Sequence, residues 1–102
     1  MNKIFMTKDA WDAYYREEDA VLDKNTNEYV SYKTFYERER DRYFNLRENA
    51  FQWIRSHDNE KDSDAYNLIH LLFILAGLKV EEAKLKLNEI KETERRQKND
   101  VR

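Results

Sequence analysis

Apolar positions are concentrated in one part of the chain, residues 66–80, with the sequence YNLIHLLFILAGLKV. From this stretch onwards, one set of apolar residues recurs at intervals of three and four, which places it on one face of a helix: Ile69, Leu72, Phe73, Ala76, Val80, Ala83, Leu87 and Ile90. A second set occupies the other side of the same helix: Leu68, Leu71, Leu75 and Leu78. A helix that is apolar on both sides must be covered on both sides, either by the rest of the chain or by a second copy of it.

The same periodicity, with capping residues in front of it, predicts three helices, over residues 8–22, 32–56 and 63–96. Thr7 and Ser31 are suitable N-caps for the first two helices, and Ser63 or Asp62 for the third. Gly77 lies inside the third helix and marks a close helix crossing, a kink or a break. Because no capping residue follows it, we expect one long helix; a break here would give four helices.

Turn-forming residues are scarce, since the chain has no proline and one glycine. β-Sandwiches and barrels need both residues at their turns, so the fold class that we predict is all-α: a small antiparallel three-helix bundle with a long C-terminal helix. The clearest turn covers residues 23–27, DKNTN. A short extended pairing between residues 28–30 and 3–5 is left open. We expect a single domain over residues 1–98, with residues 97–102 as a frayed tail.

Composition and charge narrow the possible functions. The 102 residues carry a net charge of -2, so the chain is neither as acidic as a DNA mimic nor as basic as a non-specific DNA coater. The absence of cysteine excludes disulfides, thiolate catalysis and cysteine-based zinc sites, and it fits a cytoplasmic protein. The apolar run of residues 68–78 is shorter than the roughly 20 residues that cross a membrane. We expect no cofactor and no membrane partner.

Candidate catalytic or metal-binding residues are few. His57 follows the second predicted helix, where the helix dipole favours it, and Asp58 and Glu60 nearby do not complete the three or four convergent ligands of a metal site. His70 lies in the apolar run, where we expect a core histidine with one hydrogen-bond partner, with a pH-sensitive interface contact as the alternative. The sequence contains no phosphate-binding glycine loop, nucleophile elbow or H-E-x-x-H motif. We therefore predict no enzymatic activity and no bound metal.

The second predicted helix carries arginine and phenylalanine in alternation, on a side separate from its main aromatic face. The members of this Arg–Phe stripe recur at intervals of four, three, four and four: Arg40, Phe44, Arg47, Phe51 and Arg55. In one interpretation, the phenylalanines form a second buried face along which the arginines extend. In the other, the stripe is a contact surface for a protein. Nucleic acid is a further alternative, with Arg38 and Arg42 added, but acidic residues among the arginines dilute the positive field that it requires.

These patterns favour a small non-enzymatic protein that binds another protein as a regulator, inhibitor or adaptor, of the accessory type that phages and mobile elements encode. Its contact surface would be the Arg–Phe stripe. A nucleic-acid-binding accessory or transcription-regulatory protein that uses the same face is the alternative. We also expect a homodimer, with a monomeric bundle as the competing interpretation. The predicted dimer seam is one face of the third helix: Ile69, Leu72, Phe73, Ala76, Val80, Ala83 and Leu87.

Overall fold

A computed structural model describes residues 4–100 of the chain, and side chains within residues 4–96. In this part of the chain the elements follow in order: strand β1 (Phe5–Met6), helix α1 (Lys8–Tyr15), strands β2 (Ala20–Asp23) and β3 (Glu28–Ser31), helix α2 (Tyr32–Ser56), a 3-10 helix (Asp58–Glu60) and helix α3 (Asp64–Asp100). The chain divides into two compact units, residues 1–38 and 39–102, with the boundary inside α2. A single domain over residues 1–98 stays a prediction. Of the predicted tail, residues 97–100 continue α3, and residues 101 and 102 lie outside the described part.

The first unit contains a small β-sheet, so the prediction of an all-α three-helix bundle is wrong, although helices dominate and the C-terminal one is long. The strand order is β1-β3-β2. Val21 of β2 lies opposite Val30 of β3 in an antiparallel pair, and Phe5 of β1 lies opposite Glu28 of β3 in a parallel pair. β-Branched and aromatic residues favour strands, and these short segments contain several. The extended pairing that the sequence left open is therefore present in part: Phe5 pairs with Glu28, but the strand continues to Met6 and does not include Ile4, and residue 3 lies outside the described residues.

Helix α1 ends at Tyr15, seven residues earlier than predicted, through a reversal of the chain at Glu17. The N–H of Glu18 donates to the carbonyl of Ala13 (2.9 Å), and the N–H of Glu17 donates to the carbonyl of Tyr14 (3.0 Å). These two bonds form a Schellman motif, which requires a left-handed residue at its turn. Glu17 takes this role with φ of 59°. Glycine or asparagine is usual at such a position, so the sequence carried no ordinary stop signal here.

The turn predicted over residues 23–27 is confirmed, and it connects β2 to β3 as a β-hairpin. Asp23 organises it: its backbone carbonyl accepts from the N–H of Asn27 (2.8 Å), and its carboxylate accepts from the N–H of Asn25 (3.0 Å). Asn27 has a left-handed φ of 57°, which asparagine tolerates better than most residues. The Asp23 side chain is only 1% exposed. It also accepts from the guanidinium of Arg38 (3.0 Å), which bonds Glu28 at the same distance.

Two capping side chains connect α1 to strand β3. The hydroxyl of Thr7 accepts from the N–H of Ala10 (3.1 Å), which confirms the predicted cap, and it donates to the carbonyl of Tyr29 (2.7 Å). The carboxylate of Asp9, in the first turn of α1, accepts from the backbone N–H of Ser31 (2.7 Å) and from its hydroxyl (3.1 Å). Ala10 and Ser31 are buried. The first unit is thus fixed by side-chain bonds to the backbone as well as by its sheet.

The second unit contains a helical hairpin formed by the later part of α2 and by α3. Contacts move backwards along α2 as they move forwards along α3, so the two helices are antiparallel: Trp53 with Tyr66, Phe51 with Phe73, and Arg47 with Gly77. The predicted bounds of the second helix are confirmed, and Ser63 accepts from the N–H of Tyr66 (3.1 Å) as the cap of the third. None of the helices in the described residues is long and apolar enough to cross a membrane.

Helix α3 continues through Gly77 without a break, as expected. A Cβ atom added at this position would have Arg47 Cδ as its neighbour at 3.8 Å, which is ordinary van der Waals contact. A close helix crossing therefore does not require glycine here. The buried apolar residues of the hairpin are mostly small: Ala50 on α2, and Ala76, Val80, Ala83 and Leu87 on α3.

Candidate interaction surface

The Arg–Phe stripe lies on α2 within the second unit, and its two phenylalanines are partly in contact with water. Phe44 is 48% exposed and Phe51 is 39% exposed. The ring of Phe51 lies 6.0 Å from the ring of Phe73 on α3, so its inner side packs in the hairpin. Neither phenylalanine is buried, and the interpretation as a second core face therefore accounts for only part of the stripe.

Two arginines of the stripe lie over aromatic rings. The guanidinium carbon of Arg47 is 5.5 Å from the centre of the Phe73 ring, and that of Arg55 is 5.8 Å from the centre of the Phe51 ring. Both distances are within the range of cation–π attraction, which draws a guanidinium towards a ring face. The stripe thus presents a surface of rings and guanidinium groups whose conformations are already restricted. Such groups lose little side-chain entropy when a partner binds.

Three of the five arginines that the nucleic-acid alternative would use have carboxylate partners. Arg38 bonds both Asp23 and Glu28 in the first unit. Arg40 Nε lies 3.1 Å from the carboxylate of Asp41, and Arg42 pairs with Glu39 one turn earlier. These pairs neutralise charge that would otherwise attract phosphate groups.

The groups whose pKa is clearly shifted lie in the first unit. They take part in the hydrogen bonds and ion pairs that hold this unit together. Burial acts to raise the pKa of Asp9, but the hydrogen bonds from Ser31 and Thr34 and the charge of Arg16 together outweigh it, so this pKa is lowered. The hydrogen bond to Asp23 raises the pKa of Arg38, with Glu28 adding to it and burial opposing it. Both shifts therefore arise from the bonds that hold the first unit together.

The two histidines belong to a chain of aromatic contacts at the closed end of the hairpin. His57 stacks on Trp53 with ring centres 3.9 Å apart, and its Nδ1 lies 2.8 Å from the Trp53 carbonyl oxygen, as suits a residue that ends α2. His70 is exposed, so the expected core position is wrong; its ring stacks between Tyr66 (6.3 Å) and Phe73 (6.5 Å). The reason is that His70 lies on a side of α3 away from Ala76, Val80 and Ala83, which the hairpin buries. In the described residues, no group of histidine and carboxylate side chains is arranged to hold a metal ion.

Most of the predicted dimer seam lies inside the chain itself. Ala76, Val80, Ala83 and Leu87 are buried by the protein's own residues, and the other three members are partly buried: Ile69, Leu72 and Phe73. Their use between two copies stays a prediction. The opposite leucine set of α3 is the exposed one, and sequence periodicity alone does not say which of two apolar faces the chain covers first.

A second exposed aromatic group, on α1, has no counterpart among the predicted sites. Trp11, Tyr14 and Tyr15 contact one another with ring centres 5.7–6.4 Å apart, and all are exposed. The sequence feature that could have indicated this group is the presence of three aromatic residues within five positions of one amphipathic helix.

Comparisons of the chain with protein-family models, with curated proteins and with solved structures found no match.

Proposed function

We propose that this protein is a small non-enzymatic interaction protein that binds another protein, as a regulator, inhibitor or adaptor, through the Arg–Phe stripe of α2. The observation that supports this most directly is the partial exposure of Phe44 and Phe51 between arginines that already lie against rings. Aromatic residues and arginine are the side chains most enriched at the energetic centres of protein interfaces. The absence of cysteine supports the cytoplasm as its compartment.

The partner that fits this surface presents an apolar centre with acidic residues around it. Phe44 would insert into the apolar centre, because its exposed half has the most apolar area to lose from water in the stripe. Arg55, whose guanidinium lies over the Phe51 ring, would donate hydrogen bonds to a carboxylate at the edge. Bidentate pairing of arginine with carboxylate adds geometric specificity to such a contact.

A photo-crosslinking experiment tests this proposal. A benzophenone amino acid replaces Phe44 in the full chain, expressed in its native cells, and the crosslinked species is identified by mass spectrometry. The matched control places the same group at Glu94, an exposed position on α3. We expect one discrete heterologous species at position 44 and none at position 94.

The partner that crosslinking identifies is then expressed and purified on its own. Its binding to the full chain provides the quantitative test. Calorimetry should show that Phe44→Ser and Arg55→Glu each weaken binding by about tenfold or more, with an unchanged melting temperature. If both variants bind like the wild type, or if position 44 yields no heterologous protein, the proposal fails. Binding of a short DNA or RNA probe that strengthens steeply as salt is lowered would support the nucleic-acid alternative instead.

A further inference from the structure

The outer face of α3 carries a leucine stripe that the chain does not cover. Its four members alternate at intervals of three and four residues, and each is between 50% and 67% exposed: Leu68, Leu71, Leu75 and Leu78. Ile74, which lies beside them, is also half-exposed. On the opposite side of the helix, Ala76, Val80 and Ala83 are buried. The hairpin therefore uses one apolar face of α3 and leaves the other in water.

The size of this leucine stripe sets it apart from scattered surface leucines. Single exposed apolar residues are normal and need no explanation. Five adjacent large aliphatic side chains, each about half exposed, present roughly 500 Å² of surface, which is in the range of the largest patch on a typical monomer. Two such patches facing each other would bury about 1,000 Å² in total, the lower limit for a specific interface.

We propose that a second copy of the chain covers the leucine stripe, with the two α3 helices antiparallel and the two-fold axis beside residue 73. The spacing of the leucines is the heptad pattern that allows two helices to pack side by side. A two-fold interface uses the same patch on both subunits, so a stripe that is apolar throughout is complementary to itself. The result is a four-helix arrangement of two hairpins, in which α3 lies inside.

The antiparallel register places leucine against leucine in every layer. Leu68 packs against the partner subunit's Leu78, and Leu71 packs against the partner subunit's Leu75. Near the axis, Ile74 lies across from the partner subunit's Ile74, so that its exposed side chain gains an apolar neighbour. In a parallel pair, the heptad positions would instead place Ile74 beside the partner subunit's Lys79. The antiparallel arrangement therefore buries more apolar surface.

Charged residues define where this interface stops. The next positions of the same spacing are Asp64 on one side of the stripe and Glu82 on the other, and both are exposed. Burial of an unpaired carboxylate is costly, so the contact does not continue past them. Leu85, which is 64% exposed, lies beyond Glu82 and outside the contact. It provides a matched control of the same residue type on the same helix.

Sedimentation equilibrium of the full chain, over a concentration series from about 1 μM to about 1 mM, tests the association. We expect a reversible dimer. Leu71→Glu and Leu75→Glu should each raise the dissociation constant by at least about 100-fold, because every substitution enters the two-fold interface twice. Leu85→Glu should leave the constant unchanged. A wild-type chain that is monomeric throughout the series, or a dimer that Leu71→Glu does not weaken, overturns the proposal.

Disulfide trapping tests the orientation, and the chain has no native cysteine to interfere. A mixture of the Leu71→Cys and Leu75→Cys chains should form a mixed disulfide on mild oxidation. Leu78→Cys alone should not form a crosslink, because in the antiparallel register its two copies are offset by ten residues, or about 15 Å along the helix. Efficient crosslinking of Leu78→Cys would show a parallel pair and contradict the register. The test does not involve the Arg–Phe stripe, so it can fail while the proposed function stands.

Discussion

The buried carboxylate of Asp23 should be the most sensitive single position in the first unit. Its side chain is 1% exposed, and it accepts hydrogen bonds from the backbone of Asn25 and from the guanidinium of Arg38. Asp23→Ala removes the bonds that the carboxylate accepts from the backbone N–H and side-chain amide of Asn25 and from Arg38, and a hydrogen bond to a charged group contributes about 1.5–3 kcal/mol. Arg38 keeps its bond to Glu28, which offsets part of this loss. We expect a net destabilisation of about 2–3 kcal/mol, or a fall in melting temperature of roughly 10–20 °C for a chain of this size.

A double-mutant cycle isolates the contribution of the pair. Arg38→Met should cost about 1–2 kcal/mol, since its side chain is partly exposed and water can replace some of its interaction with Asp23. The coupling energy between the two substitutions should be about 1–2 kcal/mol. The matched control is the exposed pair of Arg16 and Glu18, 3.2 Å apart in the same unit. Its coupling should not exceed about 0.5 kcal/mol.

The measurement needs a reporter inside the first unit, because the two units need not unfold together. The chain has two tryptophans, Trp11 on α1 and Trp53 on α2. Trp53→Phe leaves Trp11 as the only source of tryptophan fluorescence, and urea unfolding followed at this residue reports on the unit that contains Asp23. A coupling energy no larger than that of the control pair would refute the assignment of Asp23 and Arg38 as the central bond of this unit.

Three further predictions concern backbone conformation and pH. Glu17→Gly should stabilise the chain by up to about 1 kcal/mol, because the left-handed backbone there costs a side-chain-bearing residue about 1–2 kcal/mol. Asn27→Gly should stabilise the chain less, because asparagine tolerates this conformation better. The urea midpoints of the two variants measure the difference. Gly77→Ala should stabilise α3 by about 1 kcal/mol, measured by thermal unfolding, and a loss of stability would show that the space beside Arg47 is tighter than 3.8 Å. The pKa of Asp9 is lowered from an ordinary value of 3.8, so its contribution is complete above that value and is lost as pH falls through the folded pKa. Asp9→Asn should therefore flatten the pH dependence of urea midpoints below about pH 4.

The helices with ordinary start signals could be predicted from the sequence. Thr7, Ser31 and Ser63 carry hydroxyls that accept from N–H groups in the first turn of the helix that follows, and each helix begins where its cap indicates. The capping bond is local and needs only residues within the same turn. For the same reason the start of α2 was predicted correctly, and its end also agrees with the prediction.

The sheet could not be predicted with the same certainty because its causes are not local. The stop of α1 depends on a left-handed Glu17, a residue type that seldom takes this conformation. The helix predicted over residues 8–22 therefore includes Val21 and Leu22, which lie in strand β2. Sequence composition reinforced the error, since a chain without proline and with one glycine resembles an all-helical one. The turn at residues 23–27 uses aspartate and asparagine in their place.

The distribution of side-chain size between interior and surface connects both proposals. In the described residues, the buried apolar positions are mostly alanine and valine, whereas large side chains are exposed on α1, on the Arg–Phe stripe and on the leucine stripe of α3. Burying a large aliphatic or aromatic side chain yields about 1.5–3 kcal/mol, more than alanine can provide. Association that covered the exposed large side chains would therefore add the hydrophobic stabilisation that the small interior residues do not supply. The leucine stripe is uniform and complementary to itself, which suits a second copy. The Arg–Phe stripe alternates positive charge with apolar area, which suits a different, acidic partner. The two surfaces should therefore respond independently: Leu71→Glu should dissolve the dimer and leave heterologous crosslinking at Phe44 in place.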